Sequence, residues 1–211
     1  ALEITEPGQI SATVGSTAVT CYGSSNGTIS ITNPSGGYGT YEYSINGGGS
    51  WHSSGLFTGL VPGNYNVRIR DAANITCVIV LNSALQITQP PVLNATVNST
   101  AIACYGSADG MITITNPLGG SGVYEYTING GAGWQASNSF SNLTPGTYDV
   151  RMRDRVNPTC FITLDPALQI TEPPVLSATV ASTNVTCNGA ADGTISITNP
   201  LGGYGTYQYT I

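Results

Sequence analysis

The sequence predicts an all-β chain built as tandem β-sandwich repeats, and three observations carry that prediction. An 83-residue period runs through the chain without slipping, apolar and polar residues alternate in short runs, and a Pro-Gly turn before a tyrosine opens one such run in each full period. No stretch shows a helical period.

The period is read from rare residues. Cys21, Cys104 and Cys187 lie 83 residues apart, as do Cys77 and Cys160, Trp51 and Trp134, and Pro34, Pro117 and Pro200. A unit of that length is too long for a solenoid coil and suits a small sandwich domain. Residues 7–90 and 91–173 are then two complete repeats, and 174–211 is the first part of a third. Ala-Leu-Glu-Ile-Thr-Glu (1–6) matches 84–89 and 167–172, which close their repeats, so it reads as the last strand of a preceding one. The 211 residues are thus expected to be a window on a longer repetitive chain.

Within a repeat, alternation marks the strands. Ile29 and Ile31 face one way across 27–32; Tyr41, Tyr43 and Ile45 do so across 40–45; Tyr65, Val67 and Ile69 do so across 64–70. Further strands are expected at 10–14, 18–21, about 56–60, and from 77 through 87. Turns are expected at Asn-Pro-Ser-Gly-Gly (33–37) and Asn-Gly-Gly (46–48), where glycine accepts positive φ. About seven strands per repeat read as a β-sandwich. Val-Pro-Gly-Asn-Tyr (61–65) and Thr-Pro-Gly-Thr-Tyr (144–148) resemble the tyrosine corner of immunoglobulin-like and fibronectin type III sandwiches, in which the phenol bonds back to the turn. Repeats are joined by Thr-Gln-Pro-Pro (88–91) and Thr-Glu-Pro-Pro (171–174), short and semi-rigid joints that predict a rod-like array.

Composition narrows the function. Only 8% of residues are charged, all 5 basic residues are Arg, and the net charge is −6. Nucleic acid and anionic membrane surfaces need clustered Lys and Arg and are excluded as partners. The longest apolar run, Cys77 to Leu81, is far too short to insert into a bilayer. His52 is the sole histidine and its repeat equivalent is Gln135, so neither a nucleophile–base pair nor a zinc site is assembled. No phosphate loop or nucleophile elbow is present. Asp71, Asp109, Asp154 and Asp192 read as turn caps rather than calcium ligands. The chain is expected to be no enzyme and to carry no cofactor or metal.

Two features remain. In each full repeat the cysteines are 56 residues apart, without a CxxC metal pattern. One bridge per repeat, Cys21 with Cys77 and Cys104 with Cys160, is the simplest expectation, and buried free thiols are the alternative; a bridge favours an oxidising, extracellular setting. Trp51, Trp134 and Tyr38 flank glycine-rich turns among Asn and Ser, where they either cover the sandwich edge or stack on sugar rings. Arg68, Arg70, Arg151 and Arg153 alternate outward opposite Glu42 and Glu125, which reads as cross-strand ion pairing.

Taken together, Val-Thr-Cys-Asn-Gly-Ala-Ala-Asp-Gly-Thr-Ile (185–195), the Tyr-Glu-Tyr-Thr-Ile-Asn-Gly-Gly segment (124–131), Pro-Gly-Thr-Tyr-Asp-Val-Arg-Met-Arg-Asp (145–154) and Ile-Thr-Glu-Pro (170–173) resemble the SprB-type repeat of giant cell-surface adhesins in gliding bacteria. The resemblance implies an immunoglobulin-like bead in a long extracellular filament, secreted by the type IX system and carried along the outer membrane. It also implies that Cys21–Cys77 and Cys104–Cys160 are the family's paired positions. Two functions follow as expectations. The repeats are the stalk of a cell-surface adhesin, supporting attachment and gliding motility, with other repeats of the same chain as partners. Alternatively, each is a weak carbohydrate-binding module acting by avidity on surface polysaccharide through Trp51 or Trp134. Lateral filament contacts through the outward Ser and Thr faces are a further possible partnership.

Overall fold

The computed structural model describes residues 3–211. Backbone contacts divide the chain into two compact units. The first holds residues 1–93 with 118–123 and 153–161; the second holds 94–117, 124–152 and 162–211. The first unit thus contains the whole first repeat together with two loops from the second.

The first repeat has two antiparallel sheets of three strands each. One orders β1 (Ser11–Thr17), β2 (Gly27–Ser35) and β4 (Leu56–Leu60); the other orders β3 (Tyr41–Ser44), β5 (Gly63–Asp71) and β6 (Val78–Ile87). Alternation sends Ile29, Val67 and Ile69 into the core, where all three are fully buried, joined by Ile10, Val19 and Ile87. Burying each such side chain contributes about 1.5–3 kcal/mol. The second repeat repeats the plan. Its β7 (Asn94–Thr100), β8 (Gly110–Leu118) and β10 (Ser139–Leu143) form one sheet, and β9 (Tyr124–Thr127), β11 (Gly146–Asp154) and β12 (Phe161–Ile170) form the other. Ile112, Ile114, Val150 and Met152 take the core positions. The third, partial repeat forms the hairpin β13 (Ser177–Thr183) and β14 (Thr194–Leu201).

The tyrosine corners form as the Pro-Gly-x-Tyr pattern expects. The Tyr65 hydroxyl donates to the Val61 carbonyl at 2.9 Å and the Tyr148 hydroxyl to Thr144 at 2.7 Å. Three other expectations change. Residues 18–21 make no strand: Val19 donates one backbone bond to Thr88, but the next N–H, Thr20, is taken by the Asn26 side chain, which ends the ladder. The Asn-Pro at 33–34 is a bulge inside β2 instead of a turn, because Ser11 pairs with Ser35 while Thr13 pairs with Thr32. Asn33 sits at φ 52°, and the bulge accommodates a proline that cannot donate to a ladder. Asn116 and Asn199 repeat the conformation at 51° and 50°. Of the expected strand at 1–6, residues 1 and 2 lie outside the described residues and 3–6 are not in a strand. The matching stretch in the first repeat pairs with Gly63–Tyr65, and 3–6 have no such neighbour among the described residues.

Each repeat has a leading end, where the chain comes in, and a trailing end, where it leaves. At the first repeat's leading end, Gly37 N–H donates to Gly8 O, and Gly36 adopts φ 80° so close to Gln9 that a Cβ there would collide with its backbone. Beneath them lies Asp71, fully buried, accepting from the Tyr38 N–H on one oxygen and from Ala73 and Asn74 N–H on the other. Asp154 does the same for Ser121, Val156 and Asn157. The Tyr38 N–H, more than the other bonds, holds the Asp71 carboxyl below its usual range. At Asp154 burial pushes upward, but the Ser121 hydroxyl and N–H and the two loop N–H groups outweigh it.

A carboxyl lowered in the folded state binds fewer protons there than in the unfolded chain, whose aspartates titrate near pH 4. The stabilisation is therefore complete above about pH 5 and is lost as pH falls through the folded-state values. Thermal melts across pH 2–7 should show Tm beginning to fall below about pH 5 and falling most steeply below about pH 4. An Asp71→Asn/Asp154→Asn variant should melt lower at pH 7 and lose part of that acid slope; an unchanged slope would assign it elsewhere.

Candidate functional site

Trp51 follows the turn after β3 and is half-buried over the outward face of its sheet. The Arg70 guanidinium lies 4.4 Å from the indole centroid and is itself held by Glu42 at 2.7 Å, its direct cross-strand partner. The ion pair expected at this position therefore doubles as a cation–π support for the indole. Gly48 lies under the ring edge, where a Cβ would come within 3.4 Å of it. His52 pairs with Tyr43 across the same edge and stacks edge-on against Phe57 at 5.5 Å. In the second repeat Trp134 is also half-buried and lines a shallow cavity of about 320 Å³ with Ile128, Asn129, Gly133, Gln135 and Phe140. Arg151 there makes a bidentate pair with Asp149 two residues away, and this pair lowers the Asp149 carboxyl. At the matching place in the first repeat Arg68 bonds the Asn66 side chain. Tyr38, 65% exposed, belongs elsewhere: it walls a cavity at the leading end with Asp71 and Cys77, and Trp51 is not part of that wall.

The cysteines depart from expectation. Cys21 is bonded to Cys160, across 139 residues of sequence and with Cα atoms 5.4 Å apart. Cys77, Cys104 and Cys187 are free and exposed. The pairings Cys21–Cys77 and Cys104–Cys160 are therefore not those of the structure. Cys21 sits at the trailing end, two residues beyond Val19, whose N–H bonds Thr88 just past β6. Cys77 immediately precedes β6, at the leading end, its carbonyl accepting from Asp71 N–H. Ten residues of strand separate those ends, about 30 Å, whereas a disulfide needs Cα atoms within about 7 Å. The second repeat has the same layout, with Ile102 bonded to Thr171 beyond β12 and Cys160 directly before it. Cys160 meets Cys21 because the loop at 153–161 packs within the first compact unit.

The bridge has a polar setting that the sequence reading missed. The Thr20 carbonyl oxygen lies 3.3 Å from Cys160 Sγ, and Thr159 Oγ1 lies 3.9 Å from Cys21 Sγ. The loop carrying Cys21 is fixed by Gly23 N–H to the Gln89 side chain, as Gly106 N–H is to Glu172. Asp109 and Asp192 cap the equivalent loops, accepting from Ala103 and Thr186 N–H. Among the described residues, no group of three or more His, Cys, Asp or Glu converges as a metal site, and no helix is long and apolar enough to cross a membrane.

Comparison with known families decides the kinship. The SprB repeat family matches residues 8–50, 96–133 and 179–211, together more than half of the chain and in step with the repeats. The chain belongs to the SprB repeat family. No match was found among curated proteins or among solved structures. SprB repeats form a structural repeat family typical of adhesin-type cell-surface proteins, and the disulfide of this one suits an extracellular setting.

Trypsin reads the bridge directly, since Arg70, Arg151 and Arg155 separate the cysteines. Without reductant, fragment 1–68 should travel with 156–211. Pairing within each repeat would instead join 71–151 to 1–68 through Cys77 and to 156–211 through Cys104.

Proposed function

We propose that this SprB repeat region is the tension-carrying stalk of a long bacterial cell-surface adhesin or filament. The repeats form a rod-like array of immunoglobulin-like beads, held at the outer membrane by other parts of the parent chain and supporting attachment and gliding. Its partners are further repeats of the same chain. The carrying observation is the bond from Cys21 to Cys160, which joins a residue of one repeat to a residue of the next.

Tension along a chain follows the shortest covalent path. Force arriving through β1 passes at Cys21 to Cys160 and leaves through β12, so residues 22–159 carry none of the covalent load. Should the sheets give way, those residues cannot pay out. Fully extended, 139 residues would span about 480 Å at about 3.5 Å each. The bridge withholds that length and limits how far a stretched stalk can lengthen.

Single-molecule stretching from the two ends tests this. Reduction, or Cys21→Ser, should lengthen the fully unfolded contour by about 480 Å in one step. Two smaller gains of about 200 Å each would indicate bridges closed within each repeat, each spanning 56 residues. No gain at all would remove the tension-carrying role.

The carbohydrate-binding alternative rests on Trp134, which edges an open cavity, and on Trp51. A panel of polysaccharides offered to the folded chain at millimolar sensitivity should show no binding that Trp51→Ala/Trp134→Ala removes. Binding lost in that variant would make the repeats themselves adhesive.

A further inference from the structure

One peptide bond of the second repeat has no counterpart in the first. Asp165–Pro166 lies midway along β12, where β6 carries Asn82–Ser83. In the first repeat this is the place of a bulge: Tyr65 pairs with Leu85 and Val67 with Asn82, so Ser83 and Ala84 together face one residue of β5. The strand turns there on a side chain, Asn82 Oδ1 accepting from Ala84 N–H at 3.0 Å. Asp165 Oδ1 accepts from Ala167 N–H at 2.9 Å in the same way. Asp165 is half-buried, and Pro166 and Ala167 are exposed. The ring closed by this hydrogen bond runs through the Asp165 carboxyl, the Asp165–Pro166 peptide and Pro166 itself. The carboxyl is therefore folded back over the bond that follows its own residue, and that bond is a tertiary amide whose nitrogen carries no hydrogen.

We propose that Asp165–Pro166 is an acid-triggered self-cleavage site. The protonated carboxyl of Asp165 adds an oxygen to the carbonyl carbon of its own residue and closes a cyclic anhydride. The bond from that carbon to the Pro166 nitrogen breaks, and the carboxyl proton leaves with the nitrogen as a secondary amine. Water then opens the anhydride, so one peptide bond and one water give a C-terminal aspartic acid at 165 and a free proline at 166. The turn supplies the positioning that such a step otherwise waits for. Among the ionisable groups of the neighbouring strand β11, Tyr148, Asp149 and Arg151 lie along this stretch, with Arg153 and Asp154 farther on, and Asp149 and Arg151 pair with each other. Beyond β11, β9 carries Tyr124, Glu125 and Tyr126, while β7, β8 and β10 carry no ionisable side chain. The disulfide does not bridge the cut, because Cys21 and Cys160 both precede it and Cys187 is free. On the tension-carrying reading, on which this last step rests, the bond lies on the covalent path of the load, and acid would let go whatever follows it.

The test incubates the full chain at about pH 3 and about pH 7, at a temperature where circular dichroism shows the sheets intact. Nothing is stretched, so the outcome is independent of the load path. Mass spectrometry should find fragments 1–165 and 166–211 at the acid pH alone, separated even without reductant. Asn82–Ser83 should stay whole and serves as the internal control. The folded chain should be cut at least about fivefold faster than an unstructured peptide of residues 160–171, the gain expected from a held carboxyl. Asp165→Asn, which keeps the turn as Asn82 does, should slow the cut at least about tenfold, and Pro166→Ala should do the same. Ala167→Pro removes the N–H that holds the carboxyl and leaves the Asp–Pro bond in place, so its rate should fall to that of the peptide. The comparison of native chain with peptide stands whether or not that variant folds. No cut at 165–166, a folded rate no higher than the peptide's, or a rate that Asp165→Asn leaves unchanged would overturn the proposal.

Discussion

The last strand of each repeat is ten residues long, and one cysteine stands at each end of it. This distance governs the rest. Two thiols held about 30 Å apart by a hydrogen-bonded strand cannot meet, so whatever bonds they make must leave the repeat. The strand is held at both ends by the core: Ile87 is buried against the trailing end, and β6 pairs with β5 along its length from Arg70 to Gly63. A repeat with this topology therefore presents one thiol forward and one backward. The bond from Cys21 to Cys160 is the consequence.

The leading end is shaped to receive it. Three times the chain comes in through proline or a Pro-Gly pair and crosses a Gly-Gly turn, with Gly37, Gly120 and Gly203 donating to Gly8, Pro91 and Pro174. The first glycine of each turn lies where a side chain would collide with the incoming backbone, and its positive φ suits no β-branched residue. A buried aspartate ties this turn to the loop before the last strand in both complete repeats. Because the carboxylate accepts on both oxygens, the loop that carries Cys77 or Cys160 is held to the turn that carries Tyr38 or Ser121. Receiving surface and thiol are positioned by one ion.

Much of this was legible in the residues, and the parts that were not have physical reasons. Alternation placed the core faces of β2, β3 and β5 because a half-buried strand leaves a period of two, and the Pro-Gly-x-Tyr corners formed as read. The Glu42–Arg70 pair followed from strand register. Asn-Pro-x-Gly-Gly has the composition of a turn, whereas the bulge at Asn33 depends on pairing with β1, which is not local. Val19 alternates like a strand residue, but the Asn26 side chain competes for the next backbone donor. For Trp51 the residues alone allow either covering or binding, because its stacking with Arg70 depends on which strands are neighbours. The cysteine pairing was hidden by the period itself. A bond within each repeat and a bond to the next repeat both recur every 83 residues, so spacing cannot separate them. Only the antiparallel course of β6 does.

Stability alone gives little reason for one pairing over the other. In the chain-entropy treatment a disulfide stabilises a fold by restricting the unfolded chain, and the gain grows only with the logarithm of loop length. Lengthening the loop from 56 to 139 residues adds about 0.8 kcal/mol, less than a single buried methyl-bearing side chain contributes. Under tension the two bonds differ far more. A bond inside a repeat protects only the residues it encloses and leaves the Pro-Pro joint as the sole covalent connection between repeats. A bond from one repeat to the next places a second covalent path beside that joint and takes the enclosed sheets out of the load. In this chain, where few charges are present to tie one repeat to the next, the bond from Cys21 to Cys160 supplies that second path.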